Sequence, residues 1–160
     1  MKLLLDVQAV SCEQVPSKEE LRHWIAAALS ERTTRQEVEI VVRLVDGDEM
    51  AQLNTNYRGK KGATNVLSFP ADLPPDLELP LLGDIVICAP VVLEEAAQQG
   101  KTASAHWAHM AIHGTLHLLG YDHIEEDEAE VMEALESAIL RQLDYSCPYQ
   151  NQPQHERISV

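Results

Sequence analysis

Phenylalanine occurs once in these 160 residues, and all aromatics together make up 4%. A core built on stacked rings is therefore excluded, and the interior has to be aliphatic. Cysteine is nearly as scarce. Cys12, Cys88 and Cys147 are far apart and odd in number, with no CxxC pair, so no disulfide framework is expected and a reducing cytoplasm suits the chain. Long apolar runs are missing as well. "LLL" at Leu3–Leu5 and "IVICAPVVL" from Ile85 fall well short of the ~20 residues of a membrane span. No basic segment precedes an apolar stretch with a cleavage site, so nothing argues for secretion. No repeat and no linker divides the chain, and hydrophobic residues at 45% allow one full core. One domain over residues 1–145 is expected, with 146–160 a loose, aperiodic tail.

Positive charge is also in short supply. The net charge is −14, which favours solubility and repels polyanions at long range. Its distribution is uneven. From Asp122 to Glu136 there are eight acids and no Lys or Arg, read here as the solvated face of a helix. From Met50 to Ala71 there is no acid, while Arg58, Lys60 and Lys61 give a local +3.

Periodicity supplies the elements. Leu3–Val10 reads as a strand, and Leu21, Trp24, Ile25, Ala28 and Leu29 recur at helical spacing behind a Ser17/Glu20 capping box. Val38, Ile40, Val42 and Leu44 alternate in a β-branched strand. Asp46 and Glu49, again at capping-box spacing, open a short helix with Met50, Leu53 and Tyr57 as its inner face. Asn65–Phe69 and Asp84–Cys88 read as two more strands, joined by a stretch with four prolines in fourteen residues. Pro90 fits the first turn of the next helix, which ends near Gly100. Thr102 caps a helix running to about Leu119, where Gly120 stops it, and a last helix from about Glu126 to Leu143 is expected to bury Val131, Leu135, Ala138 and Ile139. The fold class predicted is α+β: a single domain with about four strands in a mixed sheet, packed with about five helices, and a zinc site at the end of a helix.

The densest chemistry lies in "HGTLHLLGYDH", which holds three of the seven histidines. His113 and His117 are four apart on a helix, so both project from one face. Gly120 lets the chain turn back, and His123 completes a set of three nitrogens. Such a set leaves one tetrahedral position of zinc open, as in catalytic sites. The offsets are also those of the metzincin proteases. His106 and His109 extend the row, but residues eight apart on a helix are separated by ~12 Å along the axis, too far to share one ion. These two are expected to be exposed, packed, or in support of the ligands. In a zincin protease the first histidine is followed by the Glu that serves as general base. Here that residue is Gly114, so the usual peptide hydrolysis lacks its base.

"HGTLHLLGYDH", "YRGKKGATNVLSFP" (Tyr57–Pro70) and "LGDIVI" (Leu82–Ile87) together closely resemble the YbeY family in motif order and spacing, over roughly Val38 to Leu143. These are bacterial zinc-dependent endoribonucleases that act as rRNA maturation factors. The resemblance implies that His113, His117 and His123 hold one Zn2+ per chain and that Arg58 is the functionally important arginine. It implies a cytoplasmic enzyme acting on single-stranded RNA at the 3′ end of small-subunit 16S rRNA and in ribosome quality control. Its partners would be rRNA and the ribosome or ribosomal proteins, with no membrane and no DNA. Many members have Asp where this chain has Asn65, which removes a carboxylate from the neighbourhood of the site. Lys60 and Lys61 are candidates for holding flanking phosphates, although exposed lysines are common. Asp122 is either a turn residue or a group supporting the ligands. A metal and a guanidinium suit phosphodiester cleavage, because both stabilise charge on non-bridging oxygens. Water and the RNA 2′-OH remain equal candidates for the nucleophile. The competing readings are a metalloprotease-like or other zinc hydrolase, and a ribosome-associated binding factor in which zinc is structural.

Overall fold

A computed structural model describes residues 1–72, 74, 79–121 and 125–145. Four strands form one sheet in the order β1-β2-β4-β3: β1 is Lys2–Ala9, β2 Glu37–Val45, β3 Val66–Pro70 and β4 Leu81–Cys88. Five helices accompany them: α1 (Lys18–Leu29), α2 (Gly47–Arg58), α3 (Ala89–Gln98), α4 (Ala103–Leu118) and α5 (Glu126–Gln142). β1 and β2 run parallel across the α1 crossover, β2 and β4 are parallel, and β3 pairs antiparallel with β4. The mixed α+β sheet expected from the sequence is the one observed.

Alternation along β4 shows how the sheet is covered on both faces. Ile85 and Ile87 belong to the large core with α1, α4 and α5, while Val86 and Cys88 join a small cluster with Met50 of α2. Helix α1 buries Leu21, Trp24, Ile25, Ala28 and Leu29, the stripe predicted, and its Ser17/Glu20 capping box forms. Fully burying one such aliphatic side chain stabilises the fold by roughly 1.5–3 kcal/mol.

Three local expectations are corrected. Asp46 is the N-cap of α2 but makes no side-chain cap bond. Its carboxylate instead accepts from the Ser11 hydroxyl and the Cys12 amide, and Glu49 pairs with Arg43. These longer-range donors compete successfully for both carboxylates, so no capping box closes. Tyr57 is 68% exposed, and its ring meets Phe69 edge to face at 5.1 Å between centroids. The inner face of α2 carries Met50 and Asn54. In α5 the buried positions are Ala129, Met132, Glu136, Ser137, Ile139 and Leu140, and Val131 is 54% exposed. Ile139 is buried as expected and Leu135 packs half-buried against the core, but the buried face also takes in a carboxylate, Glu136, which is 0% exposed. The acidic run is therefore not wholly a solvated surface.

No helix among the described residues is long and apolar enough to cross a membrane.

Candidate metal centre

Helix α4 carries the site because it lies deep. Its N-cap Thr102 accepts from the Ala105 amide, and the helix packs against α1, α3, α5, β3 and β4. Twelve of its sixteen residues are buried, so polar side chains on it need partners from neighbouring elements. Gly114 permits the close approach to the sheet. A Cβ there would sit 2.8 Å from Ile85 Cγ2 and 3.3 Å from Ser68 Oγ. The Ser68 hydroxyl donates to the Gly114 carbonyl at 3.0 Å, which ties the helix to β3.

The histidines form a row along this helix. Ring centroids are 5.9 Å apart for His106 and His109, 6.4 Å for His109 and His113, and 4.6 Å for His113 and His117. Two carboxylates from other helices meet the row. Glu95 of α3 lies 2.9 Å from His106 Nε2. Glu136 of α5 places one oxygen, Oε1, 2.7 Å from His109 Nε2 and 3.1 Å from His113 Nδ1. Of the readings left open for His106 and His109, exposure is the one the structure removes: both are buried and hydrogen-bonded in the interior.

Electrostatics follow from depth. Burial pulls the His109 imidazole down to about 4, against the raising effect of Glu136, so at neutral pH it is an uncharged N–H donor. Burial pushes the Glu136 carboxyl up, but the neighbouring imidazoles, His113 foremost, outweigh it and hold the group below the usual carboxylate range. The result is a buried anion stabilised by N–H donors.

Asn65 is buried at the start of β3. Its amide donates to Glu95 Oε1 and Oε2 at 3.2 and 3.3 Å, and its own oxygen accepts from the Val66 amide at 2.7 Å. A carboxylate here could not donate to Glu95. Asn65 is therefore a structural partner of the Glu95–His106 pair.

Arg58 is the last residue of α2, followed by Gly59 at φ 66, a left-handed C-cap that suits glycine. One terminal guanidinium nitrogen, Nη1, is buried without a hydrogen-bond partner among the described residues. Burial draws the guanidinium down from its ordinary value, yet arginine stays charged. An orphaned donor of this kind suits an anionic oxygen. Lys60 and Lys61 are exposed in the following loop. That loop is pinned by Asn54, whose Nδ2 donates to the Gly62 carbonyl at 2.9 Å, and by the Thr55 hydroxyl, which donates to the Lys60 carbonyl at 3.2 Å.

Of the predicted site residues, His113 and His117 are brought together on α4. Arg58 closes α2 and Lys60 and Lys61 follow in the next loop, and among the described residues no hydrogen bond joins Arg58 to the histidines. His123 and Asp122 lie outside the described residues, and among those described no group of three or more donors gathers around one point. The donor chemistry nonetheless fits a zinc ion. Nδ1 of His113 faces the Glu136 carboxylate, and a carboxylate in that place can orient an imidazole whose other nitrogen ligates a metal. Glu136 is the buried group at the histidine row that sequence reasoning missed, and the available signal was its spacing from Met132, Ile139 and Leu140 on one helical face.

The chain is 56% identical to the Endoribonuclease YbeY of Cellvibrio japonicus (strain Ueda107) over 149 residues, covering 92% of this chain and 84% of that relative. The solution structure of TM1509 from Thermotoga maritima matches with a TM-score of 0.55 at 25% identity, covering 96% of this chain and all of that one. The family described as Endoribonuclease YbeY matches residues 6–144. With nearly the whole chain matched, and the histidine row lying on the helix where its motif predicted it, this chain belongs to the YbeY endoribonuclease family.

Proposed function

We propose that the protein is a cytoplasmic, zinc-dependent endoribonuclease that cleaves single-stranded RNA and matures the 3′ end of 16S rRNA, with a further part in ribosome quality control. The observation that carries this reading is the pair His113 and His117, 4.6 Å apart at the end of a buried helix, in a family of endoribonucleases. His113, His117 and His123 would hold the ion. Bound there, zinc supplies Lewis-acid stabilisation of charge on a phosphate oxygen.

The chain's own residues do the rest. Arg58 offers a guanidinium with a buried, unpartnered Nη1 to a non-bridging oxygen of the scissile phosphate. Lys60 and Lys61 hold flanking phosphates, which fixes position but carries no sequence information. The exposed ring of Tyr57, next to Arg58, is a surface on which an unpaired base stacks. Gly114 accepts no proton, so protease chemistry of the zincin kind has no base at that position. A net charge of −14 disfavours general RNA binding and supports recruitment through ribosomal proteins.

The test is to map rRNA 3′ ends in cells lacking the protein, complemented with the wild type, His113→Ala or Arg58→Glu. Mature ends restored only by the wild type are expected. Full rescue by His113→Ala in a folded protein would instead make the zinc dispensable for cleavage.

A further inference from the structure

Glu136 is 0% exposed and meets two histidines through a single oxygen. Burying an ionised carboxylate is costly unless it is hydrogen-bonded, so its place needs a reason. Stability alone is a weak one. The nearby Met132, Ile139 and Leu140 show that this helix face tolerates apolar side chains, and an apolar residue at 136 would avoid the cost of burial.

The geometry gives a different reason. For Oε1 to accept from His113 Nδ1 at 3.1 Å, the proton of that imidazole must sit on Nδ1. In the neutral ring the lone pair is then on Nε2. The same oxygen accepts from His109 Nε2 at 2.7 Å, which braces the carboxylate from the preceding turn of α4. We infer that Glu136 is a positioning residue: it fixes the tautomer and ring orientation of His113 so that Nε2 is presented to the metal, with His109 holding the carboxylate in place. This rests on the zinc reading proposed above. It adds a helix, α5, and two residues, Glu136 and His109, to the machinery of the site.

Two measurements on the full-length protein separate this inference from that reading. In the metal-free wild type, long-range nitrogen–proton correlation spectra above the histidine titration range are expected to show His113 as the Nδ1–H tautomer. The Nε2–H tautomer would overturn the inference whatever the variants do. Zinc affinity, read by competition with a chromophoric chelator, is expected to fall about 10–100-fold in Glu136→Leu, which removes the acceptor. Glu136→Gln, which keeps an acceptor oxygen but loses the charge, is expected to fall between Glu136→Leu and the wild type. If the wild type binds zinc, His113→Ala does not, and Glu136→Leu matches the wild type, Glu136 does not position the ligand although the metal reading stands. If the wild type binds no zinc, the metal reading fails, and with it the role of Glu136 toward the metal. Should Glu136→Leu not fold, the wild-type tautomer decides.

Discussion

Helix α4 is buried on almost every side, and its histidines meet carboxylates or one another. Helix α2 buries only Met50 and Asn54 and stops at an exposed basic loop. Both contribute to the proposed site, by opposite routes. On α4 the polar groups are held by distant elements, Glu95 from α3 and Glu136 from α5, so orientation is set before any ligand arrives. At the end of α2, Arg58 closes the helix and two lysines follow on a loop pinned by two side-chain bonds, and one guanidinium nitrogen has no partner among the described residues. A metal ligand gains from rigidity. A phosphate-binding group gains from access. The division of labour follows from burial.

If the contrast is sound, damage to α4 should act on metal and fold, whereas damage to the α2 loop should act on RNA alone. The largest effect is expected from His113→Ala or His117→Ala, with zinc affinity falling more than about 100-fold and cleavage lost with it. Metal content after dialysis checks this; retention of stoichiometric zinc would break the assignment. Arg58→Ala should lower the rate of RNA cleavage by about 10²–10³-fold. Its zinc content and melting temperature should match the wild type, which a calorimetric scan can verify. Gly114→Ala forces α4 away from Ile85 and should cost about 1–3 kcal/mol in a denaturant titration. A neutral outcome there would mean that α4 is free to shift. The smallest effect belongs to Lys60→Ala and Lys61→Ala. Each should flatten the salt dependence of RNA binding by about 0.7 in the log–log slope while leaving zinc binding untouched.

The fold was readable where burial depends on local pattern. Val38, Ile40, Val42 and Leu44 alternate along a strand with one face on the core, and the apolar stripe of α1 follows the helical period. Thr102 and Ser17 act on amides three residues away, so their caps were readable too. What failed depends on partners distant in sequence. Glu136 is polar by type, and only His109 and His113, more than twenty residues earlier, make it an interior residue. Asp46 was drawn away from its helix by Ser11 and Cys12, more than thirty residues earlier. The histidine pair was legible because both members lie on one helix. The bond from Asn65 to Glu95 was not legible, because the two lie thirty residues apart on different elements.

Gly114 has a further consequence, for descent. The codons for glycine and glutamate can differ by a single base, and the histidine spacing already matches that of proteases whose base is the next residue. In mutational terms the two chemistries are neighbours. The 2.8 Å between a Cβ at 114 and the Ile85 side chain obstructs that path. A lineage carrying this helix–sheet contact would have to move Ile85 or α4 to accommodate the new side chain, at a cost in stability. Packing therefore limits which activities this scaffold can reach, and keeps the spacing from drifting toward a protease.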